Sequence, residues 1–137
     1  MALDIQVNRA ERSVWKAIGN GIMCRCPNCG KGKLFRSFLK VADTCSNCGE
    51  ELRYHRADDF PPYIAIFIVG HVLVGYMLHQ EMTAPLDPML YVYTMVPAAL
   101  ILPLIMLPSI KGAVVGLQWA NFMHGFDPRR RGLLQDV

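Results

Sequence analysis

The sequence predicts a membrane α-helical hairpin, made of two transmembrane helices, with an N-terminal cytoplasmic zinc ribbon and flanking interfacial helices. The first observation is a pair of CxxCG motifs beginning at Cys26 and Cys45, because two such motifs at this separation are typical of a zinc ribbon. The second is a run from Pro61 to Ile110 without Lys or Arg, whereas a soluble domain of this length distributes its charges. The predicted segments are an amphipathic segment over 1–23, the zinc ribbon over 24–57, the hairpin over 58–110, and an interfacial helix with a basic tail over 111–137.

The N-terminal segment carries an apolar stripe at helical spacing, formed by Val14, Trp15, Ile18 and Ile22. This pattern predicts a short amphipathic helix. Such a helix can lie along the cytoplasmic interface with Trp15 at headgroup depth. The alternative, that it packs on the ribbon, is equally compatible with the sequence.

The two motifs predict a structural zinc site with one ion per chain. Gly30 and Gly49 follow the motifs and allow the positive φ that each tight turn needs. Four thiolates complete a closed tetrahedral site without an open position. Disulfides are disfavoured because the segment is predicted to be cytoplasmic. The predicted ligands are Cys26, Cys29, Cys45 and Cys48, and Cys24 is interpreted as a spare thiol.

The segment between the motifs is basic, with Lys31, Lys33, Arg36 and Lys40. A basic ribbon can bind nucleic acid. Here the charges lie close in sequence to the first apolar span, where anionic lipid headgroups attract each Lys or Arg by about 1 kcal/mol. We therefore favour membrane lipids over nucleic acid as the partner of these charges.

The bridge into the membrane holds Asp58 and Asp59, followed by Pro61 and Pro62. An acidic N-cap followed by proline in the first turn is a helix-start pattern. The first transmembrane helix is therefore predicted to begin here. The alternative is a polar cluster of His55, Asp58 and Asp59 that binds a second metal or moves protons.

Two apolar spans are predicted at about 62–80 and 89–110. At 1.5 Å per residue, both are long enough to cross a hydrocarbon core of about 30 Å. Ten of the fourteen Lys and Arg residues precede Pro61, four follow Ile110, and the connecting loop has none. Under the positive-inside rule both termini are cytoplasmic.

His71 lies near the middle of the first span, where an ionisable residue faces protein rather than lipid. The favoured interpretation is a neutral histidine bonded across helices to Tyr91, Tyr93 or Thr94. The alternative is a contact to haem or copper. Thioethers and imidazoles that suit copper(I) also gather around the outer loop, namely Met77, His79, Met82 and Met89.

The C-terminal region begins with Lys111, whose ammonium can reach cytoplasmic headgroups. A further stripe at helical spacing follows, with Val115, Trp119, Phe122 and Phe126. These residues predict an interfacial helix closed by basic Arg129, Arg130 and Arg131, and the alternative is a helix that binds a protein partner. Trp15, Lys111 and Trp119 are the predicted membrane-interface anchors.

Several blocks of the sequence together resemble the DUF983 family of small bacterial membrane proteins. They are CRCPNCGKGKLFRSFLKVADTCSNCGEEL, HRADDFPPY, IVGH and LPSIKGAVVGLQWANFMHGFD, and they extend from Trp15 to Asp127. The sequence departs at Asp58-Asp59-Phe60, where Gly-Asp-Gly is common in the family. The resemblance implies a cytoplasmic zinc ribbon on two inner-membrane helices, often encoded among cytochrome c oxidase genes. It implies no catalytic residues.

Two functions follow as expectations. The first is a non-enzymatic accessory protein whose zinc ribbon docks on a membrane partner such as cytochrome c oxidase or its assembly factors. The second is a copper or haem handling factor that uses His71 or the outer Met/His loop. An enzyme is not expected, because the sequence shows no nucleophile–base pair, phosphate loop or open metal site.

Overall fold

A computed structural model describes residues 12–56, 60–123 and 126–127. Three helices and one two-stranded sheet make up the described part of the chain. In chain order these elements are α1 (Val14–Ile22), β1 (Phe35–Ser37), β2 (Lys40–Val41), α2 (Phe60–Thr83) and α3 (Pro88–Ala120).

The chain divides into two compact units. The first, which we call the ribbon unit, combines the N-terminal part through residue 58 with the chain from residue 108 onward. The second, the helical unit, is residues 59–107. The ribbon unit therefore draws on both ends of the described chain, and residues 108–120 of α3 belong to it.

Helix α1 starts at an N-cap, Ser13, whose hydroxyl accepts a hydrogen bond from the Lys16 amide at 3.4 Å. The helix is predicted by its apolar stripe, yet the residues that it buries are Ala17 and Gly21. Trp15 on that stripe is 84% exposed. The face used for packing is thus the face with small side chains. The apolar stripe is only partly covered, with Val14 and Ile18 half-buried and Trp15 and Ile22 exposed.

Helices α1 and α3 approach so closely that their backbones touch. A Cβ placed on Gly21 would collide with the Gly112 carbonyl, and one on Gly116 would collide with the Ala17 carbonyl. Gly21 lies at Gly112 and Ala17 at Gly116, so the two helices run in opposite directions along this contact. Small residues four apart on both helices allow this approach, because i and i+4 share a helix face.

Strands β1 and β2 form an antiparallel hairpin in which Phe35 pairs with Val41 and Ser37 with Lys40. Its loop is Phe38-Leu39, and Leu39 has a φ of +60°. The buried side chains of this part of the ribbon unit are Leu34, Val41 and Leu52. Leu34 also reaches the α3 backbone, since its Cδ2 lies 3.3 Å from the position of a Cβ on Gly112.

Polar bonds join the N-terminal part of the ribbon unit to α3. The Lys111 ammonium donates to the Leu39 carbonyl at 2.7 Å. The buried Gln118 amide bonds the backbone of Arg56 twice, accepting from its N–H at 3.0 Å and donating to its carbonyl at 2.9 Å. Lys111, predicted as a lipid-facing anchor, therefore has a partner within the protein.

Trp119 also differs from its predicted place at the membrane interface. Its ring is only 5% exposed, and its indole N–H donates to Glu50 at 3.2 Å. The Arg12 guanidinium lies 4.2 Å from the Trp119 ring and donates to the Trp119 carbonyl at 2.9 Å. Protein groups cover this ring, so it has little surface left for lipid.

In the helical unit, α2 and the first part of α3 coincide with the predicted apolar spans. Both helices are long and apolar enough to cross a membrane. Pro61 and Pro62 lie in the first turn of α2, as predicted. Helix α3 starts with Pro88, and the Asp87 carboxylate caps it by accepting from the Met89 amide at 2.8 Å.

The end of the second span differs from the prediction. The sequence predicts a span to Ile110 and a separate interfacial helix from Lys111, but α3 continues without a break to Ala120. The physical reason is the sequence after Lys111, which holds no proline before Pro128 and whose Gly112 and Gly116 fit against α1. Residues 108–120 therefore extend the apolar helix into the ribbon unit.

Candidate metal centre

The four motif cysteines converge on one point. Their Sγ atoms all lie within 4.8 Å of one another. Cys26 and Cys48 are 3.7 Å apart at sulfur, as are Cys29 and Cys45. A disulfide requires sulfur atoms about 2.05 Å apart, so these cysteines are free thiols.

Local backbone geometry positions each pair of thiols. Gly30 and Gly49 have φ values of +68° and +74°, a conformation that costs glycine little. Their amides donate to the carbonyls of Cys26 and Cys45 at 2.8 and 3.0 Å, which closes the two turns. The positive φ predicted for both glycines is confirmed.

Backbone amides also point at the sulfur atoms. The Gly32 amide donates to Cys29 Sγ at 3.5 Å, and the Asn47 amide donates to Cys45 Sγ at 3.4 Å. Such donors stabilise a thiolate, which is the form that binds metal. The turns therefore place the thiols and direct backbone N–H donors at two of the four sulfur atoms.

The pKa values of the thiols are displaced in opposite directions. Hydrogen bonds from the backbone of Gly32 and Lys31 lower the pKa of Cys29 to about 6. Burial raises the pKa of Cys26 well above its usual range and also raises the pKa of Cys48. A bound cation would replace the protons of the thiols whose pKa is raised, because metal ligands must be deprotonated.

The donor set fits one tetrahedral metal ion. A regular tetrahedron with metal–sulfur bonds of about 2.3 Å has edges of about 3.8 Å. Two of the six sulfur–sulfur distances are 3.7 Å, and all lie within 4.8 Å. Cys26, Cys29, Cys45 and Cys48 could therefore hold one ion, and four thiolates are compatible with zinc. Such an ion would cross-link the two turns.

Three residues around the sulfur cluster were not predicted from the sequence. A Cβ on Gly32 would collide with Cys45 Sγ, so this position accommodates only glycine. The Asn28 side-chain amide contacts Cys48 Sγ at 3.7 Å. Asn20 of α1 lies against the first turn, with its side-chain atoms 3.1 Å from the position of a Cβ on Gly30. The GKG that follows Cys29 was the available signal for Gly32.

The other predicted polar groups do not join this cluster. Cys24 has a φ of +57° and is half-buried. His55 Nδ1 lies 3.0 Å from the Leu52 carbonyl. Asp58 and Asp59 lie outside the described residues. Within the described ranges, no second group of three His, Cys, Asp or Glu side chains is close enough for a metal.

His71 has a partner on its own helix. Its Nδ1 lies 2.8 Å from the Phe67 carbonyl, and its ring lies 4.2 Å from the Phe67 ring. The described contacts do not include the predicted bond to Tyr91, Tyr93 or Thr94. If Nδ1 donates to Phe67, then Nε2 is the acceptor nitrogen.

Comparison with known proteins places the chain in a family. The family model DUF983, described as a protein of unknown function, matches residues 35–119, which is more than half of the chain. The chain belongs to the DUF983 family. The match to DUF983 includes Cys45 and Cys48 of the second motif, α2, and α3 as far as Trp119. No curated protein and no solved structure gives a significant match. The family resemblance predicted from the sequence is confirmed.

Proposed function

We propose that this DUF983 protein is a non-enzymatic integral membrane accessory protein whose zinc ribbon is a docking module. One observation carries the proposal: the four-cysteine cluster belongs to the same compact unit as residues 108–120 at the end of the apolar helix α3. A closed four-cysteine site leaves no coordination position for a substrate. The metal therefore has a structural role, and the surface around it is what a partner can recognise.

The exposure of α2 and α3 supports an integral membrane location. A core helix of a soluble protein can be equally apolar, but it is mostly buried. In the most apolar windows of α2 and α3, only 17% and 0% of the residues are buried. An apolar helix surface that is so widely exposed is energetically favourable when lipid surrounds it.

The ribbon unit contains segments from before and after the two apolar spans, which supports a two-pass topology. Residues 12–56 and 108–123 pack together in one unit. Two crossings return the chain to the side from which it started, so this packing is what a two-helix hairpin requires. The charge distribution assigns that side to the cytoplasm, where thiols are reduced and available for zinc. We accordingly propose the bacterial inner membrane, with both termini cytoplasmic.

Several contacts join the N-terminal part of the ribbon unit to residues 111–119 of α3. Lys111, Gln118 and Trp119 of α3 each bond a residue of the N-terminal part. The backbone contacts of Gly21 with Gly112 and Ala17 with Gly116 add a close-packed seam. A surface held in this way is preorganised, which reduces the entropy cost of binding a partner.

The family resemblance supports a haem–copper oxidase or its assembly machinery as the partner. The test is affinity purification of the tagged full-length protein in mild detergent, with metal analysis of the same sample. Recovery of oxidase subunits by the wild-type protein but not by a Cys26→Ser/Cys29→Ser variant supports docking through the ribbon. Normal oxidase spectra and activity in a deletion strain would refute the oxidase assignment.

The second candidate, copper or haem handling, is favoured by the geometry of His71. Bonding of Nδ1 to the Phe67 carbonyl fixes the ring and leaves Nε2 to act as a ligand, an arrangement common to metal-binding histidines. Copper and haem titrations of the purified protein and of His71→Leu test it. Absence of copper and haem binding by the wild-type protein would remove this candidate.

A further inference from the structure

The ribbon unit exposes apolar side chains where the apolar part of α3 ends. We name three of them the apolar rim: Ile22, Met23 and Phe38, which are 47%, 65% and 65% exposed. Ile22 and Met23 follow Gly21, which touches Gly112 of α3. Phe38 precedes Leu39, whose carbonyl binds Lys111. Two separate segments thus bring the rim to the level of residues 111–112.

The hairpin that carries Phe38 has an unusual loop. Two-residue hairpin loops favour polar pairs such as Asn-Gly, because these residues adopt positive φ readily and face water. Here the loop is Phe38-Leu39, and Leu39 holds a φ of +60°. A bulky residue in this conformation is uncommon, and the 2.7 Å bond from Lys111 to the Leu39 carbonyl holds it in place. The fold therefore fixes an apolar loop tip where a water-facing hairpin has polar residues.

Exposed cations flank the rim, and we call Arg25, Lys33 and Lys40 the basic collar. Arg25 lies two residues after Met23 and pairs with Lys33 in a β-bridge, and Lys40 closes the Phe38 hairpin. The acidic Glu50 lies elsewhere, at Trp119, and eight residues of α3 separate Trp119 from Lys111, a rise of about 12 Å. Apolar side chains surrounded by cations complement an anionic bilayer surface, in which the former enter the acyl boundary and the latter bind headgroups.

We infer that the apolar rim and basic collar of the ribbon unit insert into the anionic leaflet that α3 crosses. This inference rests on the membrane location proposed above. It assigns the apolar rim and the basic collar to lipid and leaves the exposed residues of the second cysteine motif for a protein partner. It also explains why Lys111 bonds the hairpin: the first cation after the span fixes the tip at the membrane boundary.

Fluorescence quenching in nanodiscs tests the inference. The full-length protein carries Phe38→Trp or, as the matched control, Ser46→Trp on the exposed second motif, each in a Trp15→Phe background, so that the buried Trp119 is the same second indole in both variants. Nanodiscs contain brominated phosphatidylcholine, with or without phosphatidylglycerol. We expect the indole at position 38 to be quenched at least about twofold more strongly than that at 46, because an apolar face that binds a bilayer surface is buried about 5–10 Å into the headgroup/acyl boundary.

Each outcome bears on a separate claim. Phosphatidylglycerol should increase the quenching at position 38, and replacing the three collar cations by Gln should abolish this increase. Equal, weak quenching at both positions would overturn the inference, as would protection of position 38 through self-association or a bound protein. Alkaline extraction of the same variants from cell membranes tests the proposed membrane location itself. Retention of both variants in the membrane, together with unquenched position 38, would refute the rim and leave the integral location standing.

Discussion

The two units satisfy their polar side chains in different ways. In the ribbon unit, the bonds between the N-terminal part and α3 join residues 62 to 107 positions apart in the sequence. In the helical unit, His71, Thr83 and Thr94 each bond the carbonyl four residues earlier on their own helix. The ribbon unit is therefore held by tertiary contacts, whereas the helical unit satisfies these side chains locally.

This difference indicates which interactions stabilise each unit. A polar group in an apolar medium needs a partner, and a helix supplies one through its own backbone. The helical unit can therefore present apolar side chains to lipid while the Thr83 and Thr94 hydroxyls and the His71 Nδ1 keep a partner on their own helix. The ribbon unit buries a small core that includes Leu34, Leu52, Val115 and Trp119. It adds long-range polar contacts and a cysteine cluster at which a bound metal would contribute folding energy. Substitutions should accordingly have large effects in the ribbon unit and small effects in the helical unit.

Loss of a motif cysteine should have the largest effect. Cys26→Ser removes one of four thiolates from a buried position, and structural zinc contributes about 10–16 kcal/mol of apparent binding free energy. We expect loss of stoichiometric metal and rapid proteolysis of the ribbon, measured by elemental analysis and limited trypsin digestion. Cys24→Ser is the matched control and should keep its metal. Metal loss in both variants would show that the ligand set is wrong.

The pH dependence of metal binding should follow the thiol pKa values. Cys26 and Cys48 have raised pKa values, so near pH 7 both are protonated without metal and release their protons on binding. The apparent zinc affinity should therefore rise by at least about a hundredfold per pH unit near pH 7. Below about pH 6 the Cys29 thiol, whose pKa is about 6, is also protonated and the dependence becomes steeper. Competition with a chromophoric chelator from pH 5.5 to 8 measures this slope, and a flat profile would contradict it.

Gly→Ala substitutions should affect stability differently at the α1–α3 contact and at glycines that have open space around them. Gly112→Ala places a methyl group against the Gly21 carbonyl, and overpacking of this kind costs about 1–3 kcal/mol. Gly75→Ala in α2 meets nothing within 4 Å and should be neutral or stabilising, as should Gly19→Ala in α1. Thermal release of zinc in detergent measures the stability of the ribbon unit. Equal midpoints for Gly112→Ala and Gly19→Ala would refute the α1–α3 contact.

Gln118 tests the polar bonds of the ribbon unit. Gln118→Leu removes both bonds to the Arg56 backbone and should cost about 1–3 kcal/mol, the usual penalty for unpaired buried polar groups. Gln118→Glu can still accept from the Arg56 amide but cannot donate to its carbonyl, so it should fall between Leu and wild type. Chemical unfolding of the zinc-loaded protein gives the ranking. A Leu variant as stable as wild type would show that water replaces these bonds.

His71 should give the smallest effect on the ribbon. His71→Leu removes a side chain that bonds only its own helix among the described contacts. Zinc content and the thermal midpoint of zinc release should stay at wild-type values. A change in either would mean that the two units are coupled through this position, contrary to the comparison above.

Much of the fold could be predicted from hydrophobic periodicity, charge distribution and cysteine spacing. The two apolar helices and the sulfur cluster follow from local patterns, and both are present in the structure. The continuation of α3 to Ala120 could not be predicted from the sequence, because a charged Lys111 followed by Gly112 is typical of a helix end. What keeps the helix intact is contact with α1, a tertiary effect that no local pattern reports.

The packing of α1 and Trp119 shows a second limit of the sequence. Hydrophobic periodicity predicts that Trp15 and Trp119 lie at the membrane interface. The structure buries Trp119 against Arg12 and Glu50, and α1 packs through Ala17 and Gly21 instead of its apolar stripe. Small residues carry no hydropathy signal, so a contact made by close backbone approach is visible only when both helices are known.

The contact between Gly21 and Gly112 has a consequence for biogenesis. The N-terminus of a chain leaves the ribosome first, so the cysteine turns are complete while α3 is still being translated. They cannot pack on residues 112–120 until both apolar helices have been made. A finished ribbon unit therefore requires a chain translated at least to residue 120, and any protein that recognises this unit would select such chains over shorter nascent ones.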